Sequence, residues 1–337
     1  MHCFERVDKL HRPSLPTFGR NPNEKAYFTT AVLVESYSRT RSIEIDRYRK
    51  YGKKVVAMER VYVQIEPGSD SQHYWRDIWQ YRGLLLFLAW RDLMVRYKQT
   101  TIGIFWALLR PLITLGAMYA IGWLFSSNVP EGVPRILMVA AATLPWQFFA
   151  SAFSESANSL IANSNLLTKV YFPRLILPLS TVLVSLIDLF VAFVILLVLM
   201  AMHAYVPGWQ IVLLPVFLLL ALVGALGSGL FIAALNVKYR DFRYVVPVII
   251  QFGLYITPVA FSSADIYNNP SIPTAIKTLF ACNPMVAVID GFRYSLFGGN
   301  MVIHWPGFII STCVSLLMVV LGVWYFRRTE KGFADVI

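Results

Sequence analysis

Three ionisable residues lie within stretches that are otherwise apolar: Arg110, Glu155 and Asp188. Near the middle of a bilayer each would cost about 2.5–3.5 kcal/mol on insertion scales, so each must face protein or a wet cavity. Aligned acids of this kind build proton relays, but only Asp188 lies deep in its stretch. Arg110 stands roughly two helical turns inside its own and can snorkel to headgroups. Glu155 stands near one end, and a plain structural polar contact is the competing reading for all three. Metal chemistry has no foundation in the spacing: Cys3, Cys282 and Cys313 are isolated, and His2, His11, His73, His203 and His304 show no ligand pattern. No G-x-x-x-x-G-K-[ST] motif occurs, so the chain does not bind ATP by that route. A membrane-embedded transferase acting on glycan or lipid would need clustered acids or histidines on loops, which are missing. A secondary transporter would need repeat symmetry or broken helices around central ion ligands, and only Asp188 comes close.

Aromatic residues make up 15% of the chain, and several recur along one face of an apolar stretch: Tyr119 with Trp123, Trp146 with Phe149 and Phe153, and Phe252 with Tyr255. Aromatic belts at the membrane interfaces account for such residues. The alternative is a lined passage, because aromatic faces stack on sugar rings without demanding a fixed hydrogen-bond pattern.

The elements that must carry these residues are helices in a membrane. Of 337 residues 57% are hydrophobic and 15% charged, with mean hydropathy +0.56, whereas soluble domains carry about 25% charge. The net charge of +11 reflects topology rather than a nucleic-acid face: 14 of the 30 Lys and Arg precede Trp79, and most of the rest flank apolar runs on one side. Six spans are expected, at about 102–126, 135–158, 175–202, 210–235, 244–262 and 306–326. Arg91, Arg96, Lys98, Lys169, Arg174, Lys238, Arg240, Arg243, Arg327, Arg328 and Lys331 fall on one side, against Arg135, Lys277 and Arg293 on the other. Eleven against three places both termini in the cytoplasm.

The stretch before the first span mixes apolar and cationic residues. Leu86, Trp90, Leu93 and Tyr97 recur at helical spacing, while Arg91, Asp92, Arg96 and Lys98 need water or headgroups. Asp92 precedes Arg96 by four residues, the favourable order for a helical ion pair of about 0.2–0.5 kcal/mol. An amphipathic interfacial helix and an ordinary basic flank both fit. Between spans two and three, Leu166, Leu167, Val170 and Tyr171, closed by Pro173, suit either a short helix with apolar knobs for a partner or a connector packed on its own bundle. The linker 263–305 is semi-apolar and broken at Asn283-Pro284, which suits two short helices dipping into the outer leaflet better than a seventh span. Span four carries small residues four apart (Ala221, Ala225, Gly229, Ala233), a face for close packing within the bundle or for a dimer seam.

The amino-terminal stretch 1–57 is polar and mixed in sign, an optional extension or the product of an upstream start, since Met58 would open a normal terminus. The first apolar run is far from Met1, so no cleavable signal peptide is expected. VYVQIEPGSD reads as a short strand and turn. The expected organisation is therefore 1–57 as variable extension, 58–100 as cytoplasmic segment with the interfacial helix, 101–331 as six-span domain and 332–337 as tail.

Five blocks occur in order: IEPGS, LLLFLAWRDLMVRYKQTTIGIFWALLRPLIT, LLTKVYFPRLILPLS, LNVKYRDFRYVVPVIIQFGLYITPVAF and NPMVAVIDGFRYSLFG. Together, over residues 61–331, they resemble the membrane subunit of type-2 ABC exporters of polysaccharides and polyol phosphates, of the O-antigen, capsule and teichoic-acid kind. The resemblance implies an all-α homodimer of six-span subunits in the cytoplasmic membrane. Two copies of a separate ATP-binding subunit would use ATP and Mg²⁺, and this chain would bind no cofactor. It implies that 159–173 contains the coupling helix, where Asn165, Leu166, Leu167, Lys169, Val170, Tyr171 and Phe172 would meet the ATPase. It places 77–98 beside that helix as the interfacial helix, with Trp90, Arg91, Asp92, Arg96 and Lys98. A channel for lipid-linked glycan would be lined partly by Arg110, Tyr119, Trp123, Trp146, Phe149, Phe153, Phe252 and Tyr255, with re-entrant helices at about 272–297. Nothing carries over to residues 1–57.

Overall fold

The computed structural model describes residues 74–98, 103–125, 132–239, 241–298, 301 and 303–333. The expected strand at VYVQIEPGSD and the reading of 1–57 lie outside them. Among the described residues the secondary structure is helical throughout. A helix pair opens it, α1 (Tyr74–Gln80) and α2 (Arg82–Lys98), followed by α3 (Gly103–Phe125), α4 (Arg135–Ala162), the single turn and a half of α5 (Ser164–Lys169) and α6 (Ile176–Met202). A 3₁₀ turn at Trp209–Leu213 leads into α7 (Leu214–Lys238), then α8 (Phe242–Ile256), the short α9 (Ser263–Tyr267), α10 (Thr274–Ala281), α11 (Pro284–Phe297) and α12 (Trp305–Thr329).

Four of these helices are long and apolar enough to cross a membrane: α4, α6, α7 with its leading turn, and α12. The pair α10 and α11 makes a fifth if taken as one span, although it is bent by 78°. The bend falls at Asn283-Pro284, where proline cannot continue a helix from the preceding residue and Asn283 caps the new one by accepting the Met285 N–H at 2.9 Å. Helix α8 stops at Ile256 instead of running on to 262, because Thr257 precedes Pro258 and takes an extended ψ of 146°.

Helix α4 is the centre, with most of its residues buried against α6, α7, α8 and α11. The small-residue ladder of α7 packs within the chain. Ala221, Ala225 and Ala233 are fully buried, and a Cβ at Gly229 would stand 2.6 Å from the Ser156 hydroxyl of α4. On the other side of α7 a Cβ on Gly322 of α12 would meet the Gly227 carbonyl at 2.1 Å, so those two backbones touch. Membrane helices have little hydrophobic drive toward one another, and such close approach supplies dispersion contact instead. Hydroxyls along the helices return to their own backbone, as Thr143 does to the Val139 carbonyl at 2.8 Å, which keeps polar groups satisfied in apolar surroundings. The buried amide of Asn236 crosses from α7 to donate to the Ala157 carbonyl of α4 at 2.7 Å.

Candidate functional site

The two acids inside spans converge on one arginine from outside them. Arg96, in the last turn of α2, donates through one terminal nitrogen to Glu155 of α4 and through the other to Asp188 of α6. Tyr97, the next residue, donates its hydroxyl to the second oxygen of Asp188. Burial, and then the Asp188 carboxylate, push the Tyr97 phenol above its ordinary range, so it remains a donor. Asp188 is thus half of a fastening and not an isolated central acid. The helical partner expected for Arg96 is placed elsewhere: Asp92 pairs with its neighbour Arg91 at 2.7 Å. Arg91 also donates to the Asn163 side chain at 2.8 Å, at the junction of α4 with α5. Helix α2 is therefore pinned to its neighbours at two places, at Arg91 and again at Arg96 and Tyr97, and its final turn faces acids rather than headgroups.

Helix α2 has one apolar face packed on the bundle and another left open. Leu88 and Ala89 are buried, with Leu84 and Leu85 packed beside them, while Leu86, Phe87 and Trp90 are exposed. Helical spacing identifies a stripe but not which neighbour covers it. Lys98 is exposed at the helix end.

Above this fastening opens a cavity of about 680 Å³. Its walls come from α2, α3, α4, α6 and α8, and include Arg96, Tyr97, Arg110, Thr114, Trp146, Gln147, Ser151, Ser154, Glu155, Asp188 and Gln251. Arg110 is exposed there, and among the described residues no carboxylate pairs with it. With both acids already committed to Arg96, Arg110 supplies the cavity with an available cation.

The aromatic residues separate into two groups. Trp146, Phe149 and Phe153 are buried in a row, Trp146 tilted against Phe149 at 5.6 Å and Phe149 stacked on Phe153 at 5.8 Å. Of the three, Trp146 borders the cavity as well as the core, and Phe149 and Phe153 pack in the core. Trp146 lies flush on Gly253 of α8, where a Cβ would stand 2.6 Å from the ring. Tyr119, Trp123, Phe252 and Tyr255 are instead exposed on the outside of α3 and α8.

The short helix α5 shows a similar division. Leu167 and Phe172 are buried in a cluster with Tyr74, Leu88, Leu160, Leu175 and Phe326, so they hold α5 to its own bundle and are not free knobs. Asn165, Lys169, Val170 and Tyr171 are exposed, with Tyr171 at 68%, and Leu166 is half-buried. The linker thus has one face packed on its own bundle and one face open.

Two groups were not singled out by the sequence. Arg293, expected as a loop charge, is fully buried and donates to the carbonyls of Val259 at 3.0 Å, Phe261 at 2.9 Å and Met138 at 3.3 Å. Those of Val259 and Phe261 follow the proline stop of α8, so Arg293 ties that break and α4 to α11. Asp290, three residues before it, accepts from Ser263 at 2.7 Å; an acid and an arginine three apart in an apolar helix was the available signal. The other group, Tyr74 with Glu330, had none.

Comparison with known proteins agrees with the resemblance. The family model described as ABC-2 type transporter matches residues 83–297. The O-antigen export system permease protein RfbA of Myxococcus xanthus is 29% identical over 263 residues, covering 78% of this chain and 98% of that protein. RfbA of Klebsiella pneumoniae is 24% identical over 259 residues, 75% of this chain and 95% of its own length. The capsule polysaccharide export inner-membrane protein CtrC of Neisseria meningitidis is 23% identical over 252 residues, 73% and 90% respectively. With a match across most of its helical region and three export proteins aligned over nearly their whole lengths, this chain belongs to the ABC-2 type transporter family.

Proposed function

We propose that the chain is the channel-forming subunit of an ATP-driven exporter that moves lipid-linked polysaccharide across the cytoplasmic membrane. It works as a homodimer carrying two ATP-binding subunits. The observation that carries this is the near full-length alignment with two O-antigen export permeases and a capsule export protein. Neither a membrane transferase nor a secondary transporter is favoured by these relatives. The six-span form adds α3 and α8 to the four long helices, with α10 and α11 as a re-entrant pair on the outer side. The charge asymmetry along the sequence supports a cytoplasmic location for both termini, α2 and α5.

In this reading α5 receives the push of the nucleotide-bound partner through Val170, Tyr171, Lys169 and Asn165, while Leu167 and Phe172 transmit it inward. The fastening of Arg91 to Asn163 and of Arg96 to Glu155 and Asp188 supports α2, α4, α5 and α6 moving as one body. Bodies that tilt together open or close whatever lies between them and the neighbouring helices, here the cavity beside Arg110. Arg110 would attract the phosphate end of a lipid carrier, and Trp146 would offer a ring to the first sugar. The exposed Tyr119, Trp123, Phe252 and Tyr255 are available to a channel between two copies.

The test is Tyr171→Asp in the complex with its ATP-binding subunit. Tyr171 is mostly exposed, so the change leaves the fold intact. Export should fall at least fivefold while ATP hydrolysis continues; unchanged export would remove α5 as the point of coupling.

A further inference from the structure

The end of the bundle that carries α5 is closed by a carboxylate that no motif marks. Glu330 opens the 3₁₀ turn Glu330–Gly332 directly after α12. Its Oε1 accepts the backbone N–H of Arg174 at 3.0 Å, and its Oε2 accepts the Tyr74 hydroxyl at 2.9 Å. Arg174 belongs to the six-residue connection between Lys169, where α5 ends, and Ile176, where α6 begins. Its N–H lies just ahead of the N-cap residue Leu175 of α6, near the helix end where a carboxylate is favoured by the dipole. Tyr74 begins α1. One side chain therefore joins three parts of the chain that are 100 or more residues apart, |i−j| being 156 and 256 for the two bonds to Glu330.

The surroundings hold this group in place. The Arg327 guanidinium lies over the Tyr74 ring at 4.7 Å and that of Arg174 over the Phe333 ring at 5.8 Å. Tyr74, Leu167, Phe172, Leu175, Phe326 and Phe333 are buried together beneath it. Burial, and then the Glu330 charge, hold the Tyr74 phenol well above its ordinary range, so it stays a donor at any physiological pH.

We infer that Glu330 is a positioning residue for force transmission: it clamps the connection after α5 to α1 and to the end of α12. A six-residue connection left to itself bends under load, and the load then goes into loop motion rather than helix motion. With its N–H held by Glu330 and Phe172 seated in the cluster, the connection passes displacement of α5 to α6 and α12. This inference rests on the reading of α5 as the contact with the ATP-binding subunit.

The experiment uses the full complex in proteoliposomes, with a fluorescent polyprenyl-diphosphate-linked oligosaccharide as probe, and reads probe moved per ATP hydrolysed. Glu330→Ala should lower that ratio at least fivefold with ATP hydrolysis within twofold of the parent. Glu330→Gln should restore the ratio to within twofold, because its amide oxygen still accepts from Arg174 and its NH₂ can donate to the Tyr74 hydroxyl. A clamp that served only folding would lower the yield of complex and leave the ratio alone. An unchanged ratio in Glu330→Ala, or a Gln variant as poor as the Ala variant, overturns the inference. If Glu330→Ala does not assemble, Tyr74→Phe decides: a lowered ratio supports the clamp and an unchanged one refutes it. Tyr171→Asp, run in parallel, separates the two ideas. If it leaves the ratio unchanged, the coupling reading itself fails; if it uncouples while Glu330→Ala does not, only the clamp fails.

Discussion

Arg96 shows what a sequence hides at the scale of a single residue. Glu155 and Asp188 were legible as costly groups that needed company, because their apolar surroundings are local. Their partner was not legible: it lies 59 and 92 residues away, in a stretch whose cations are equally well explained by the membrane surface. Removing Arg96 leaves two carboxylates on adjacent spans without compensation and facing each other. A fully buried pair broken on one side loses about 3–5 kcal/mol. These side chains keep about 30% of their exposure, so a loss of about 1–3 kcal/mol is expected for Arg96→Gln. Adding Glu155→Gln and Asp188→Asn to it should recover most of the thermal midpoint, which distinguishes charge compensation from packing. Tyr74 carries a pH dependence at the alkaline end. Burial and the Glu330 charge raise its phenol above the ordinary value of about 10, so its contribution is whole below about pH 10 and erodes as pH climbs beyond. A stability profile flat from pH 6 to 9 in the parent and in Tyr74→Phe alike would agree with this; a Tyr74-dependent change within that range would not.

At the scale of elements, boundaries were legible wherever a proline or a change of polarity marks them, and the neighbour that covers each face was not. Asn283-Pro284 places the break between α10 and α11, and the six apolar runs coincide with six helices within a few residues except where Pro258 shortens α8. Periodicity named the aromatic row of α4 without saying that Gly253 of α8 receives Trp146. The contact makes a prediction for the pair of helices. Gly253→Ala puts a methyl where the ring lies, so Trp146 must move toward the cavity or α8 must shift outward. Either costs about 1–3 kcal/mol as overpacking. Its signature is a changed Trp146 fluorescence in a background lacking the other tryptophans, reversed by Trp146→Phe. Gly253→Ala with unaltered emission would mean that the two helices are less closely packed than the structure places them. Helix α5 teaches the same lesson: Leu167 and Tyr171 look alike in sequence, yet one is 8% and the other 68% exposed. Leu167→Asp should therefore lower stability, whereas Tyr171→Asp should lower export alone.

For the whole molecule, composition and charge asymmetry were sufficient for a polytopic helical protein, and five short blocks for its family, because both are properties of the chain in order. Which surfaces meet a second copy, lipid or a partner was not legible, since Tyr119, Trp123, Phe252 and Tyr255 lie on an outer face that each would cover equally well. The fastening of α2, α4, α5 and α6 argues for a body that is moved from one end, with its cavity as the place that changes. A lever of this kind does nothing by itself. The most direct measurement is therefore on the purified chain in proteoliposomes with and without its ATP-binding subunit, following both nucleotide hydrolysis and movement of a polyprenyl-diphosphate-linked oligosaccharide. The account predicts neither activity from the chain alone and ATP-dependent movement when the two are combined. Movement by the unaccompanied chain, or hydrolysis of nucleotide by it, would contradict the account.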